Sequence, residues 1–430
     1  MTDLPPSEAD HPHAAPPRQR RAESGPGETD ALVADRHVAG GDALARHPDG
    51  RVVLVAGALP GEQVEVELLH RKGALRGVVQ RRLWASPDRV RPRCPHVADG
   101  CGGCDLQTLE PSAQVRAKVD LVGDALRRLG RIDDPVVTAG PALSPWGFRT
   151  TLRLAVVEGR AGLRRAESHE IVPIEHCLVA HPRLDELVQE GRFGSADEVV
   201  LRIGASTGER MAIAMPTAEG VELPADVLVV GADELEAGRR AWIHEQVAGR
   251  RWRISAESFF QTRPDGADAL VEVVRSMVAD RLSVPGRPGR SLTLLDAYGG
   301  VGLFSGALLD GVAGWRAVVA ERSRSSVADA RHNLADIDAK VVATTIEHLR
   351  APKSDLVVAD PSRAGLGRAA VHVLASSAAP RLVLVSCDPA SAGRDAALLA
   401  GVGYRHAESV LVDLFPHTHH TELVSRFDRV

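Results

Sequence analysis

The chain is predicted to be an α/β protein: a C-terminal doubly wound sheet preceded by a small β-barrel and a central α+β region. Three observations predict it. From about Trp252 onward, strand-like and helix-like runs alternate as SLTLLDAY, GLFSGALLDG, RAVVAE, SVADARHNLAD, DLVVAD, GRAAVHVLASS and RLVLVSC, and repeated βαβ units imply parallel strands with helices on both faces. Near the other end, RVVLVAG, QVEVELL and RGVVQRRL alternate apolar with polar residues between turn signals such as HPDGR and LPGE, the pattern of a barrel of about 60 residues. Between them, FRTTLRLAVV, HEIVPIEH and ERMAIAM again read as strands.

Taken in order, residues 1–30 are polar and rich in Pro and charge, and are expected to be a disordered tail. They lack the apolar core of roughly 7–15 residues that a secretory signal needs, and no apolar stretch approaches the roughly 20 residues of a membrane helix. A cytoplasmic protein with no membrane partner, its thiols kept reduced, is therefore expected. The expected divisions are the tail, a barrel over 31–90, a cluster-binding and central region over 91–250, and a catalytic domain over 251–430; a monomer is expected. After the barrel, SAQVRAKVDLVGDALRRLG repeats its apolar positions at helical spacing and closes on Gly130. The net charge of -5 excludes a wholly basic nucleic-acid coat. Locally the balance reverses: Arg71, Lys72, Arg76, Arg81, Arg82, Arg89, Arg91 and Arg93 are answered within their stretch by Asp88 alone, which suits contact with RNA phosphates.

All five cysteines can be assigned chemistry. Cys94, Cys101 and Cys104 form a C-x6-C-x2-C group, and Cys177 stands alone in IEHCLVAH. In a reducing compartment such groups read as metal sites rather than disulfides, and four thiolates suit an iron–sulfur cluster or zinc. Gly102 and Gly103 let the loop wrap closely. Cys387 ends the apolar run LVLVSC before Asp388-Pro389 and reads as a nucleophile, with a lowered pKa expected beside helix N-termini.

Ligands of open α/β sheets bind beyond the carboxyl ends of the strands. Here the apolar runs end at Asp296, Glu321, Asp360 and Cys387. The turn Asp296-Ala-Tyr-Gly-Gly-Val-Gly302 lacks the lysine of a phosphate loop and the spacing of G-x-G-x-x-G. A glycine turn between two acids suits a nucleoside whose ribose hydroxyls need a carboxylate, and the fit is to S-adenosylmethionine before a dinucleotide. Phe259 and Phe260, ahead of Gln261, form a candidate stacking platform for a base. The close His417, His419, His420 spacing is weak for zinc and points to packing within its loop.

Five ordered motifs, SFFQT at 258–262, DAYGGVG at 296–302, DPSRAG at 360–365, SCDPA at 386–390 and FPHTHHTE at 415–422, resemble those of the class I S-adenosylmethionine-dependent RNA uridine C5-methyltransferases over roughly residues 31–430. The resemblance implies a Rossmann-like methyltransferase sheet, an OB-like TRAM barrel that binds RNA, and a [4Fe-4S] cluster on Cys94, Cys101, Cys104 and Cys177 as in the ribosomal branch, with rRNA favoured over tRNA. It makes Cys387 the nucleophile and Glu422 the base, and places Gln261, Tyr298, Glu321 and Asp360 at positions that contact the cofactor or the target base. Departures are Gly299-Gly300 for the family's Cys-Gly, and Leu303 where relatives often carry Asn or Thr. The cofactor contact expected near Thr345 to Glu347 is not assigned.

The chemistry would need these groups. Uracil C5 is too weak a nucleophile to take a methyl group unaided; a thiolate adding to C6 supplies the electrons, and a carboxylate then removes the C5 proton. The cysteine spacing differs from the C-x3-C-x2-C of radical enzymes, and Ser362-Arg363 after Asp360-Pro361 does not suit an amino-methyltransferase. The alternative is an RNA-binding iron–sulfur protein with an inactive methyltransferase domain, against which Cys387 and Glu422 both speak.

Overall fold

The computed structural model describes residues 29–71, 74–284 and 291–430. The tail expected over residues 1–30 lies outside the described residues as far as position 28, as does Lys72 of the basic run; Thr29 and Asp30 already belong to the first strand. Strands β1 (Thr29–His37), β2 (Ala43–Arg46), β3 (Val52–Ala56), β4 (Gln63–Arg71) and β5 (Ala74–Trp84) close into a barrel in the order β1-β2-β3-β5-β4. Its interior is filled by alternate residues such as Leu32, Ala34, Val53, Val55, Val64 and Val66.

The basic run is largely answered from elsewhere in the chain. Glu62 is fully buried and accepts hydrogen bonds from Arg89 Nε at 2.5 Å, Arg82 Nε at 3.4 Å and the N–H groups of Leu59 and Ser86. Arg81 pairs with Glu65, and Arg76 with Asp42 and Glu167. These acids come from distant segments, so local sequence could not reveal them.

Helix α1 (Pro111–Arg128) starts on Glu110, whose carboxylate accepts from the N–H groups of Ser112 and Ala113, and Pro111 occupies the first turn. A short strand, β6 (Val137–Ala139), follows. The central region contains β7 (Thr151–Val157), β8 (Arg160–Arg164), β9 (Ile171–Pro173), α2 (Pro182–Glu190), β10 (Arg192–Phe193), β11 (Glu198–Ile203), β12 (Arg210–Met215), β13 (Val221–Glu222), β14 (Val227–Gly231) and α3 (Ala232–Glu236). Six of these strands form a sheet in the order β14-β12-β11-β7-β8-β9, and Leu184, Leu187 and Val188 of α2 pack with Leu152, Leu154 and Leu201.

A hairpin, β15 (Trp242–Val247) and β16 (Arg250–Ser255), leads to α4 (Pro264–Leu282). Then come β17 (Leu292–Ala297), α5 (Leu303–Leu309), β18 (Trp315–Glu321), α6 (Arg324–Asn333), β19 (Ala339–Ala343), β20 (Leu356–Ala359), α7 (Gly367–Ser376), β21 (Arg381–Ser386), α8 (Pro389–Ala400), β22 (Tyr404–Leu411) and β23 (Leu423–Arg429). The eight-stranded sheet runs β19-β18-β17-β20-β21-β23-β22-β6. Its first five strands are parallel, and β23 is antiparallel to both neighbours. Successive residues face opposite cores: Leu294, Val319, Val358 and Val383 meet α4 and α5, whereas Leu295, Val318, Val357 and Leu382 meet α1, α7 and α8. Although α1 and β6 precede the central region, they are built into this sheet, with Gly393 of α8 lying where any Cβ would meet the Ala125 carbonyl of α1.

Candidate active site

The strand order reverses between β17 and β20, and the acids converge there. Asp296, near the end of β17, is fully buried; its Oδ2 accepts from Ser305 N at 3.0 Å and Ser305 Oγ at 2.6 Å, while Oδ1 has no partner. Burial, with Glu321 adding, pushes its carboxyl up to about 6. The turn after it holds Tyr298, Gly300 and Gly302 at positive φ (61°, 54° and 94°), so the chain doubles back sharply. Glu321 braces the turn, accepting from Gly300 N at 3.0 Å and Ser323 N at 2.7 Å. No described atom lies within 4 Å of where a Cβ on Gly300 would stand, so its crest faces open space. A Cβ on Gly299 would instead run into Val319, which explains why a larger residue is missing here. Tyr298 is half-buried and pushed up to about 12, by burial and then by Glu347, which brings the unassigned 345–347 stretch beside the turn.

Cys387 and Glu422 are brought together by strand register. Ser386 at the end of β21 pairs with Leu423 at the start of the antiparallel β23, so the residue after the one and before the other leave the sheet at the same edge. Asp360, directly after β20, completes the group. Its carboxyl is pushed up to about 7 by burial and then by Asp296, and Glu422 well above the usual carboxylate range by burial and then by Asp360. The Cys387 thiol is pushed up to about 11 by burial, then Glu422 and Asp360; Arg363 pulls the other way. This corrects the expected lowering: the carboxylates and desolvation outweigh the N-terminus of α8. Cys387 opens into a cleft of about 110 Å³ with Arg363, His420, Thr421 and, from the barrel, Ala39 and Gly40.

The SFFQT segment divides its roles. Ser258 Oγ donates to the buried Asp329 at 2.6 Å, Phe259 is 63% exposed, and Phe260 enters the main core. Only Phe259 is therefore open to stack on a base, which corrects the paired platform. Gln261 is buried, and no hydrogen bond among the described residues joins it to Cys387 or Glu422.

The histidines pack their loop as expected. His417 is buried, donates its N–H to Gln114 Oε1 at 2.6 Å, and sets its ring 4.0 Å from that of Trp146. His419 binds Asp105 through both its N–H and Nδ1.

The cysteine loop and Cys177 share one core. Cys104 packs with Cys177 against Phe148 and Leu152. Gly102 sits where a Cβ would be 2.9 Å from the Arg164 carbonyl, so the loop presses on β8. Burial raises Cys101, lifts Cys177 to about 11 and Cys104 to about 12; Cys177, Cys101 and Cys94 all add to the rise at Cys104. Nearby backbone N–H groups, of Gly103 at Cys101 and of Ala180 and Val179 at Cys177, oppose that rise. Among the described residues, no three His, Cys, Asp or Glu side chains are grouped closely enough to hold a single metal ion.

A doubly wound sheet with a glycine turn between acids, and a cysteine and a carboxylate at adjoining strand ends, defines an S-adenosylmethionine-dependent RNA methyltransferase once its relatives are considered. An "Uncharacterized RNA methyltransferase" of Streptomyces avermitilis is 37% identical over 418 residues, covering 90% of this chain and 95% of the relative. A Streptomyces coelicolor protein of the same description is 36% identical, covering 90% of each. The crystal structure of Pyrococcus abyssi tRNA (uracil-54, C5)-methyltransferase in complex with S-adenosyl-L-homocysteine superposes with a TM-score of 0.70 at 25% identity, covering 92% of this chain and all of that one. No protein-family model matches. The chain belongs to the class I S-adenosylmethionine-dependent RNA uridine C5-methyltransferase family. No described helix is long and apolar enough to cross a membrane.

Proposed function

We propose that the protein transfers a methyl group from S-adenosylmethionine to C5 of a uridine in structured RNA, with rRNA favoured. The observation that carries this reading is the junction of Cys387, Glu422 and Asp360 at neighbouring strand ends. Tyr298, Glu321 and Asp360 would hold the nucleoside substrate near the glycine turn, whose open crest at Gly300 suits a ligand. Gln261 would contact the cofactor or the target base from its own segment. Cys387 passes its proton by way of the neighbouring carboxyls to solvent, and its sulfur bonds C6 of the uracil, making C5 nucleophilic. C5 takes the methyl group and S-adenosylhomocysteine is released. Glu422 then takes the C5 proton, and the Cys387–C6 bond breaks as the double bond returns. The target uridine must leave its stack to reach Cys387, and Phe259 is the exposed ring beside which it could settle.

Cys94, Cys101, Cys104 and Cys177 would hold a [4Fe-4S] cluster, a structural centre that draws the loop and the central sheet together. Cys177 is buried and Cys101 and Cys104 are partly so, and the thiols of Cys101, Cys104 and Cys177 are raised with neighbouring cysteines among the causes, which supports that donor set. Zinc on the same four sulfurs is the alternative, and the iron content of the purified protein distinguishes the two.

The test is mass spectrometry of nucleosides from rRNA and tRNA with and without the gene. Loss of one 5-methyluridine, mapped to rRNA, is expected; an unchanged 5-methyluridine content overturns the reading, and a loss confined to tRNA overturns the rRNA preference. In vitro, Glu422→Gln should methylate without release, leaving an RNA–protein adduct that survives denaturing gels.

A further inference from the structure

Segment 412–422 joins β22 to β23 and ends on Glu422. Its alternate residues are tied to one partner, the stretch from Asp105 to Lys118 that follows the cysteine loop. Lys118 Nζ, itself buried, donates to Asp413 Oδ1 at 2.6 Å and to the Phe415 carbonyl at 2.9 Å. The His417 carbonyl accepts from Leu106 N at 2.9 Å, and Gln114 meets both its N–H and its ring. Asp105 then takes the His419 N–H on one oxygen at 3.0 Å and His419 Nδ1 on the other at 2.5 Å. It is the tie nearest Glu422 and the residue directly after Cys104. The barrel reaches the same point, since a Cβ on Gly41 would stand 2.6 Å from Asp105 Oδ2.

We infer that Asp105 is a positioning residue for Glu422, fixing the last turn of its loop from the cysteine-bearing segment. Two bonds from one carboxylate set both the backbone and the ring of His419, and a charged acceptor makes each stronger than a neutral one. His419 and His420 line the Cys387 cleft, so the orientation of this turn sets where the base stands relative to the thiol. Because Asp105 would act through the turn and not on a substrate, its loss is expected to show in kcat more than in KM. The inference rests on the reading of Glu422 as the base.

Wild-type protein, Asp105→Ala, Asp105→Asn, Gln114→Ala and Glu422→Gln are compared in methylation of rRNA, with kcat, KM for RNA, iron content and melting temperature measured for each. Asp105→Ala should lower kcat roughly 10- to 100-fold with KM within about threefold, and should accumulate covalent adduct. Asp105→Asn keeps an acceptor for the His419 N–H and should recover most of the rate. Gln114→Ala, which removes no bond made by Asp105 or by a cysteine, should show the same signature more weakly and keeps the test valid if Asp105→Ala loses iron or unfolds. Wild-type kcat in both Ala variants, a loss carried wholly in KM, or an Asn variant as slow as Ala overturns the inference. Adduct accumulation in Glu422→Gln with normal turnover in Asp105→Ala overturns the positioning role alone; no accumulation in Glu422→Gln overturns the assignment of the base, and the role of Asp105 with it.

Discussion

Cys387 at the end of β21 and the thiols of Cys104 and Cys177 are all pushed up by burial, to about 11, 12 and 11, yet different groups surround them. Beside Cys104 the neighbours that raise it are other thiols, and the cation nearby is Arg149, whose own charge is destabilised by burial and supported by Cys177 and Cys104. Beside Cys387 they are carboxyl groups, opposed by Arg363. A set of thiols that raise one another becomes anionic when a metal centre supplies positive charge. A thiol among carboxyls can instead pass its proton to a neighbour when substrate arrives. On the proposed reading, the same direction of shift would serve a resident centre in one place and turnover in the other.

The largest test of that contrast is Cys387→Ala. Methylation should fall by more than about 10⁴-fold, while S-adenosylhomocysteine binding measured by titration calorimetry stays within about twofold. Substantial methylation by the variant would merge the two environments into one structural class. Cys177→Ala should do the opposite: iron is lost and the melting temperature drops by several degrees, but turnover is reduced rather than abolished. Unchanged iron and stability would remove Cys177 from the centre.

A smaller effect sharpens the electrostatic half. A thiol at about 11 is mostly protonated at neutral pH, so its alkylation by iodoacetamide should quicken as pH rises through 8 to 10. Arg363→Gln removes the neighbour that lowers Cys387 and should slow alkylation at pH 9 about three- to tenfold. Equal rates would mean that Arg363 does not reach the sulfur.

The smallest effect lies in the loop that connects the regions. Burial lowers His417 to about 4, against about 6.5 in an unfolded chain. The unfolded state therefore takes up a proton that the folded state refuses, and this contribution to stability is lost as pH falls from about 6.5 toward 4. Asp296 and Asp360 act in the opposite sense, because their carboxyls are raised and hold protons better when folded. The change on replacement is the quantity to read: His417→Gln should remove one proton's worth of acid sensitivity from the urea midpoint between pH 6.5 and 4. An unaltered slope would show that His417 titrates normally.

Much of the sheet was legible because strand ends are local. Asp296, Glu321, Asp360 and Cys387 close their apolar runs in sequence and lie at or beside the ends of β17, β18, β20 and β21. Period-two alternation also marked the barrel. What local pattern could not carry were contacts made across the chain. Gln114 and His417 stand 303 positions apart, and Glu62 meets Arg89 only when the barrel closes. The raised Cys387 thiol was hidden for the same reason: Glu422 and Asp360 approach it through register, whereas the helix that favoured a lower value is adjacent in sequence. The fate of Phe260 depended on which side of its segment met the core.

The edge strand β6 has a consequence for how the protein is made. It lies parallel to β22, with Val137 opposite Ser409, so roughly 270 residues must be synthesised before it can pair. At about 5–20 residues per second this takes on the order of tens of seconds. The barrel, whose strands all come from residues 29–84, can fold on the ribosome during that interval. Cys94, Cys101, Cys104 and Cys177 are also translated well before the 412–422 segment that later docks on the stretch from Asp105 to Lys118. If these thiols take up the proposed cluster, delivery of iron and sulfur would have its widest opening then, before the loop has docked beside Cys104.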